Sequence, residues 1–141
     1  MLVDANLLLY AHDSSSPENA AAADWWSAAL NGSTRVGLPW QTIGAFVRIA
    51  THPRVTRRPL SAEAAWRFVE DWLAVPVTWI PPATERTAAI LGRLVRSSRA
   101  TGNLVPDAQL AALALEHGLV VATADTDFAR FPDVRWTNPL S

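Results

Sequence analysis

The chain contains no cysteine and no lysine in 141 residues. Without cysteine there is no disulfide framework, no thiol nucleophile and no Cys-ligated zinc. That fits a reducing, cytoplasmic setting. Without lysine, all twelve basic residues are arginines. Long apolar runs are also missing: the alanines at 20–23 are broken by Asp24, so no membrane span is expected. No basic segment precedes the first apolar stretch, so no signal peptide is expected. The three histidines, His12, His52 and His117, are isolated and form no His-x₃-His pair, which counts against zinc. Ser14 to Ser16 lack the G-x-S-x-G setting of a nucleophilic serine. There are no internal repeats and no low-complexity linkers.

What is present is half hydrophobic (50%) and modestly charged (18%), with a net charge of −1. Such a chain folds as one domain, expected over residues 1–141. Apolar runs alternate with helical patterns, which indicates an α/β domain with a parallel sheet. Residues 2–4, "TRVGLP", "VTWI" and "LVVAT" read as strands, and "DVRWT" as an edge strand. "SPENAAAADWWSAALNG" reads as a helix with Ser16 as N-cap and Pro17 in its first turn. "WQTIGAFVRIATH" follows, with Ile43, Phe46, Val47 and Ala50 on one face. "SAEAAWRFVEDWLAV" is amphipathic, with Trp66, Val69 and Leu73 inward. "TERTAAILGRLVRSSRATG" points Ala88, Leu91 and Val95 inward and ends at Gly102, and "PDAQLAALALEHG" completes the helices. Trp25, Trp26, Trp66 and Trp72 are expected in core or dimer packing.

Asp4 is out of place in this pattern, a carboxylate between the apolar Leu2–Val3 and Leu7–Leu9. Strands of a parallel sheet end together, and ligands bind beyond their carboxyl ends. Asp107 lies at a helix start, and Asp125 and Asp127 follow the strand "LVVAT". Taken alone, Asp107 suits a helix start and "ADTD" suits a turn. Taken together, three segments deliver carboxylates to one sheet edge, where they repel one another. A divalent cation removes that repulsion. All-oxygen ligation suits Mg²⁺ or Mn²⁺, and such sites act on phosphoryl groups.

"MLVDANLLLYA", "LVPDAQLAALALEHG" and "VVATADTDFARFPDVRW" resemble PIN-domain proteins, in particular the VapC toxin ribonucleases of toxin–antitoxin pairs. The resemblance covers nearly the whole chain. It implies a single PIN domain, a twisted parallel sheet flanked by helices. It implies a ribonuclease that cuts RNA phosphodiesters to leave a 5′-phosphate and a 3′-hydroxyl. Asp4, Asp107 and Asp125 would hold Mg²⁺ or Mn²⁺, with Asp127 sharing the catalytic role. Asn6 and Thr123 would hydrogen-bond the carboxylates or a phosphate. A VapB-type antitoxin and a homodimer are implied as partners. One position departs from the family: where a glutamate is usual, this chain has Ala45. The arginines Arg48, Arg54, Arg57 and Arg58 are candidates for contacting RNA or antitoxin; each is equally placed to be a surface arginine.

Two other readings stand beside this one. Phospho-aspartyl folds also carry an Asp after the first strand, but they use a lysine, which is absent here. A PIN module that binds without cutting, or a PIN nuclease with a housekeeping role, remains open.

Overall fold

A computed structural model describes residues 1–141. The elements run β1 (Leu2–Val3), α1 (Ala5–His12), α2 (Asn19–Leu30), β2 (Val36–Gly37), α3 (Trp40–Ala50), α4 (Ala62–Ala74) and β3 (Thr78–Trp79). The second half adds α5 (Glu85–Ser98), α6 (Leu104–His117), β4 (Val121–Ala122), a 3-10 turn (Thr126–Arg130) and β5 (Trp136–Thr137). The five strands form one sheet in the order β3-β2-β1-β4-β5, with every pair parallel. The expected parallel α/β architecture is therefore present, and "DVRWT" does supply an edge strand.

The central strands β1, β2 and β4 are fully buried and carry no polar side chain, whereas the outer strands β3 and β5 each carry a threonine and are only partly covered. Successive strand residues face opposite sides, and β1 shows the result. Leu2 enters a core with Leu94 of α5, Leu110 and Leu113 of α6, and Phe128. Val3 enters a second core with Leu8, Trp26, Ile43, Phe46, Val69 and Trp72, contributed by α1 to α4. Helix α6 is buried from Leu110 to Ala114, consistent with its nearly unbroken apolar sequence.

The order of strands fixes where a ligand can bind. From β1 the chain steps outward through β2 to β3, then crosses back to place β4 on the other side of β1. The switch in direction lies between β1 and β4, and the crevice of an open parallel sheet opens at such a point.

Several expectations require correction. Helix α1 occupies residues 5–12, where the sequence pattern gave no expected element. Helix α2 starts at Asn19 instead of Pro17, because Ser16 to Glu18 close a turn in which the Asn19 amide donates to the Ser16 carbonyl. The buried stripe of α4 is Ala65, Val69 and Trp72, so Trp66 faces solvent at 42% exposure. On α5, Leu94 is buried and Ala88 is exposed. That helix ends at Arg99 in a left-handed conformation (φ 55°), before Gly102 is reached.

Phe46 is fully buried and packs edge-on against Trp72 at 4.8 Å between ring centres. Phe46→Ala is expected to cost about 3–5 kcal/mol, read as a lower urea midpoint with the slope unchanged. A midpoint within error of wild type would show that the core on this face is not built around that ring.

Candidate functional site

Asp4 is the residue that follows β1, and it is extended (φ −83°, ψ 147°) at the N-cap position of α1. Its backbone amide donates to the Ala122 carbonyl at 3.0 Å, tying it to the end of β4. Its side chain makes no capping hydrogen bond. The carboxylate instead accepts from the Thr123 hydroxyl at 2.8 Å and the Asn6 amide at 3.3 Å, both on Oδ2.

Thr123 is the residue after β4 and is completely buried. Its hydroxyl donates to Asp4 and accepts from the Asp125 amide at 2.9 Å and the Asn6 Nδ2 at 3.2 Å. One donor hydrogen and two lone pairs are thereby all used. Asn6 completes the mesh by accepting from the Ala124 amide on its Oδ1, at 3.3 Å. Asn6 and Thr123 thus both hydrogen-bond the Asp4 carboxylate. On the other side of β1, the buried Thr42 hydroxyl of α3 donates to the Val3 carbonyl at 2.6 Å, a support that sequence reasoning did not single out.

Asp125 and Asp127 come from the segment after β4. The Asp125 carboxylate accepts from the Asp127 amide at 2.8 Å and caps the 3-10 turn. The bland reading of "ADTD" as a turn is therefore true of Asp125 and does not remove it from the site. Asp107 arrives from the first turn of α6. Carboxylate oxygens of Asp107, Asp125 and Asp127 all lie within 4.8 Å of one another. Asp4 stands close enough that its charge acts on Asp107.

The electrostatics show how strained this gathering is. Burial, then the charges of Asp125, Asp4 and Asp127, push the Asp107 carboxyl up to about 7. The N-terminal end of a helix stabilises a carboxylate by only about 0.3–1 kcal/mol when exposed, and here burial and the other aspartates override it. Asp4 is also raised, chiefly by burial, with the Thr123 hydrogen bond opposing and Asp125 adding. The one cation paired with the group is Arg130, whose Nε lies 3.7 Å from Asp127; its i,i+3 spacing from Asp127 was the sequence signal for it. An all-oxygen set of mutually repelling carboxylates is the donor chemistry that suits Mg²⁺ or Mn²⁺.

The candidate arginines are not paired with the aspartates. Arg48 is exposed in the last turn of α3, and Arg54, Arg57 and Arg58 lie in the loop before α4. None is ion-paired with an aspartate of the site. Ala45 lies on α3, three residues beyond Thr42, and brings no carboxylate.

This combination of a parallel sheet, a crevice between β1 and β4 and converging aspartates defines a class, and comparison with known proteins places the chain in it. The family model described as PIN domain matches residues 1–134. Ribonuclease VapC37 of Mycobacterium tuberculosis is 45% identical over 138 residues, covering 98% of this chain and 96% of the relative. Ribonuclease VapC33 of the same species is 39% identical over 140 residues, covering 99% and 98%. Among solved structures, VapBC2 from Rickettsia felis bound to a DNA fragment from the promoter superposes with a TM-score of 0.71 at 13% identity, over 97% of this chain and 96% of that one. VapBC-1 from nontypeable Haemophilus influenzae also gives 0.71, at 17% identity, over 99% and 98%. The chain belongs to the VapC family of PIN-domain proteins.

The raised Asp107 has a consequence for stability. Between about pH 4 and pH 7 the folded protein holds a proton there that the unfolded chain releases. That contribution is present at low pH and is lost as pH rises through the folded-state value. Metal-free Asp107→Asn, which mimics the protonated form, is therefore expected to gain Tm relative to wild type as pH rises through that window. A constant difference between the two proteins would show that Asp107 titrates normally.

Proposed function

We propose that the protein is a divalent-metal-dependent endoribonuclease, the toxin of a VapBC-type pair. The observation that carries this reading is the convergence of Asp4, Asp107, Asp125 and Asp127 from the ends of β1 and β4 and the start of α6. The names of the curated relatives, which are ribonucleases, support RNA as substrate. The solved VapBC structures support a VapB-type antitoxin as partner.

In this reading Asp4, Asp107 and Asp125 hold Mg²⁺ or Mn²⁺. When bound, the cation offsets the mutual repulsion of the carboxylates and supplies Lewis acidity toward a phosphate oxygen and a water. Thr123 and Asn6 hold the Asp4 carboxylate in place through its Oδ2. Asp127, exposed and paired with Arg130, would in this reading orient the attacking water and accept its proton. Attack in line at phosphorus breaks the bond to the 3′-oxygen, leaving a 5′-phosphate and a 3′-hydroxyl. Asp127 also adds a carboxylate to the edge where Ala45 supplies none.

A homodimer is part of the proposal. The Trp40 indole, 62% exposed, borders a groove with Ala88 and Leu91, an apolar surface of the kind a second copy covers. The missing glutamate at Ala45 favours a second reading, a PIN module that binds RNA or antitoxin without cutting.

Purified, antitoxin-free protein is expected to cut a mixed small-RNA pool with Mn²⁺ or Mg²⁺ and to stop in EDTA. Asp4→Asn should abolish cutting. Thr123→Val, which removes the hydroxyl that orients Asp4, should lower the rate or the apparent metal affinity by about 10–100-fold. Undiminished cutting by Asp4→Asn would refute the assignment of the site, and no cutting by folded wild type would favour the binding module.

A further inference from the structure

The acidic crevice carries its own difficulty as an RNA site, because four carboxylates served by one paired arginine do not attract a polyanion. Positive charge must come from elsewhere on the surface. The structure holds a second open cavity, of about 620 Å³, that shares no residue with the aspartates. It is lined by Arg57 and Arg58 from the loop before α4, and by His12, Asp13, Ser14 and Ser15 at the end of α1. Neither arginine has an ion-pair partner. The one acid, Asp13, has its carboxylate engaged by the Ser15 amide at 3.0 Å and the Ser15 hydroxyl at 2.6 Å. Asp13 keeps its negative charge and feels the positive charge of Arg57, so two guanidinium groups against one carboxylate leave the cavity with a net positive charge, and no protein hydrogen bond engages the Ser14 hydroxyl.

Its position matters as much as its charge. Helix α1 starts directly after Asp4 and ends at His12. Eight residues at about 1.5 Å each place the cavity roughly 12 Å along that helix from the metal-binding edge. The His12 ring packs edge-on against Phe68, at 5.0 Å between ring centres, and Phe68 is 38% exposed. Phe68 is not part of the cavity wall and reaches it through His12, which is. Guanidinium groups with a partly open aromatic ring at the margin suit single-stranded nucleic acid, with phosphate on the forks and a base on the ring. An acidic peptide would use the forks and have no use for the ring.

We propose that this cavity is a phosphate-binding subsite for the RNA backbone, a few nucleotides from the scissile bond, in which Arg57 and Arg58 grip a phosphate while Phe68, packed against the lining His12, offers a stacking face at its margin. The inference rests on the ribonuclease reading above. It assigns α1 a second role: the helix that begins at the carboxylates sets the distance to the grip. Substrate length then enters the specificity, since only an RNA long enough to span both places gains from the second.

The test is binding without cleavage. Fluorescein-labelled single-stranded RNAs of about 4 and about 16 nucleotides are titrated with antitoxin-free protein in EDTA, by anisotropy, over a salt series. The longer RNA should bind Arg57→Ala/Arg58→Ala about tenfold more weakly than wild type, with the slope of log K against log salt reduced by about 0.7 for each phosphate that is no longer neutralised. The short RNA should lose little. Arg57→Lys/Arg58→Lys should recover part of the affinity, and Arg93→Ala, on the far side of the sheet, should change nothing. Equal affinity and slope for wild type and the double alanine variant would overturn the proposal, as would equal losses for both lengths or failure of wild type to bind the longer RNA. Normal RNA binding with lost capture of the antitoxin would overturn it in favour of a protein-docking cavity. Length-dependent binding by a protein that does not cut with Mn²⁺ would refute the nuclease and leave the cavity standing.

Discussion

The Thr123 hydroxyl is the point on which the site turns. It sits fully buried between the ends of β1 and β4, donating to Asp4 and accepting from Asn6 and the Asp125 amide. Those two strands are adjacent only because the chain reverses its direction of sheet-building after β3. Residues separated by 119 positions thus share one proton and two lone pairs. The register that pairs Leu2 with Val121 and Val3 with Ala122 puts Asp4 level with Thr123, and a slip of one residue would send each strand side chain into the wrong core. Fold and site are therefore specified by the same pairing, and the two apolar cores on either side of β1 are what hold it.

That arrangement stores electrostatic work. The protein brings Asp107 into a half-buried position among other aspartates, and its carboxyl rises to about 7 against the pull of the α6 N-terminus. A fold selected for stability alone would gain by replacing one of these groups. In the proposed reading the site receives a cation and needs them, since repulsion in its absence becomes affinity in its presence. The hydrogen bonds are consistent with this. Asp4 could cap α1 and does not; its Oδ2 is instead held by Thr123 and Asn6. Asp125 does cap a turn, which fixes the short segment that also carries Asp127.

Much of this was legible in the sequence, and the parts that were not have identifiable causes. The parallel α/β class follows from apolar runs alternating with helical periodicity, and Asp4 stands out because nothing in a buried strand calls for a carboxylate. Helix α1 was illegible because Leu7 to Leu9 is a short apolar run that suits strand and helix alike. On α4, two overlapping stripes fit the helical period, one through Trp66 and one through Trp72; packing against Phe46 and Trp26 selects the second. The end of α5 misled because glycine is the usual left-handed residue, yet Arg99 adopts that conformation first. The mesh of Asn6 and Thr123 came from family resemblance, since only the β1–β4 pairing brings them together.

The arginines illustrate a different limit of sequence pattern. Their clustering near residue 57 was visible, and so was the need for positive charge somewhere near an acidic site. What the sequence could not reveal is the separation of the two. Placing guanidinium groups directly against Asp4 and Asp107 would neutralise the carboxylates and compete with a cation for them. In the proposed reading, placing them one helix-length away, at the end of α1, would let the chain attract a polyanion without weakening a cation site. Interactions between exposed charges are screened over about 8–10 Å at physiological salt, so a spacing of roughly 12 Å keeps the two fields largely independent. A short helix between two oppositely charged places is a simple way to make one surface do both, and it gives the exposed loop before α4 a reason to fold back over the end of α1.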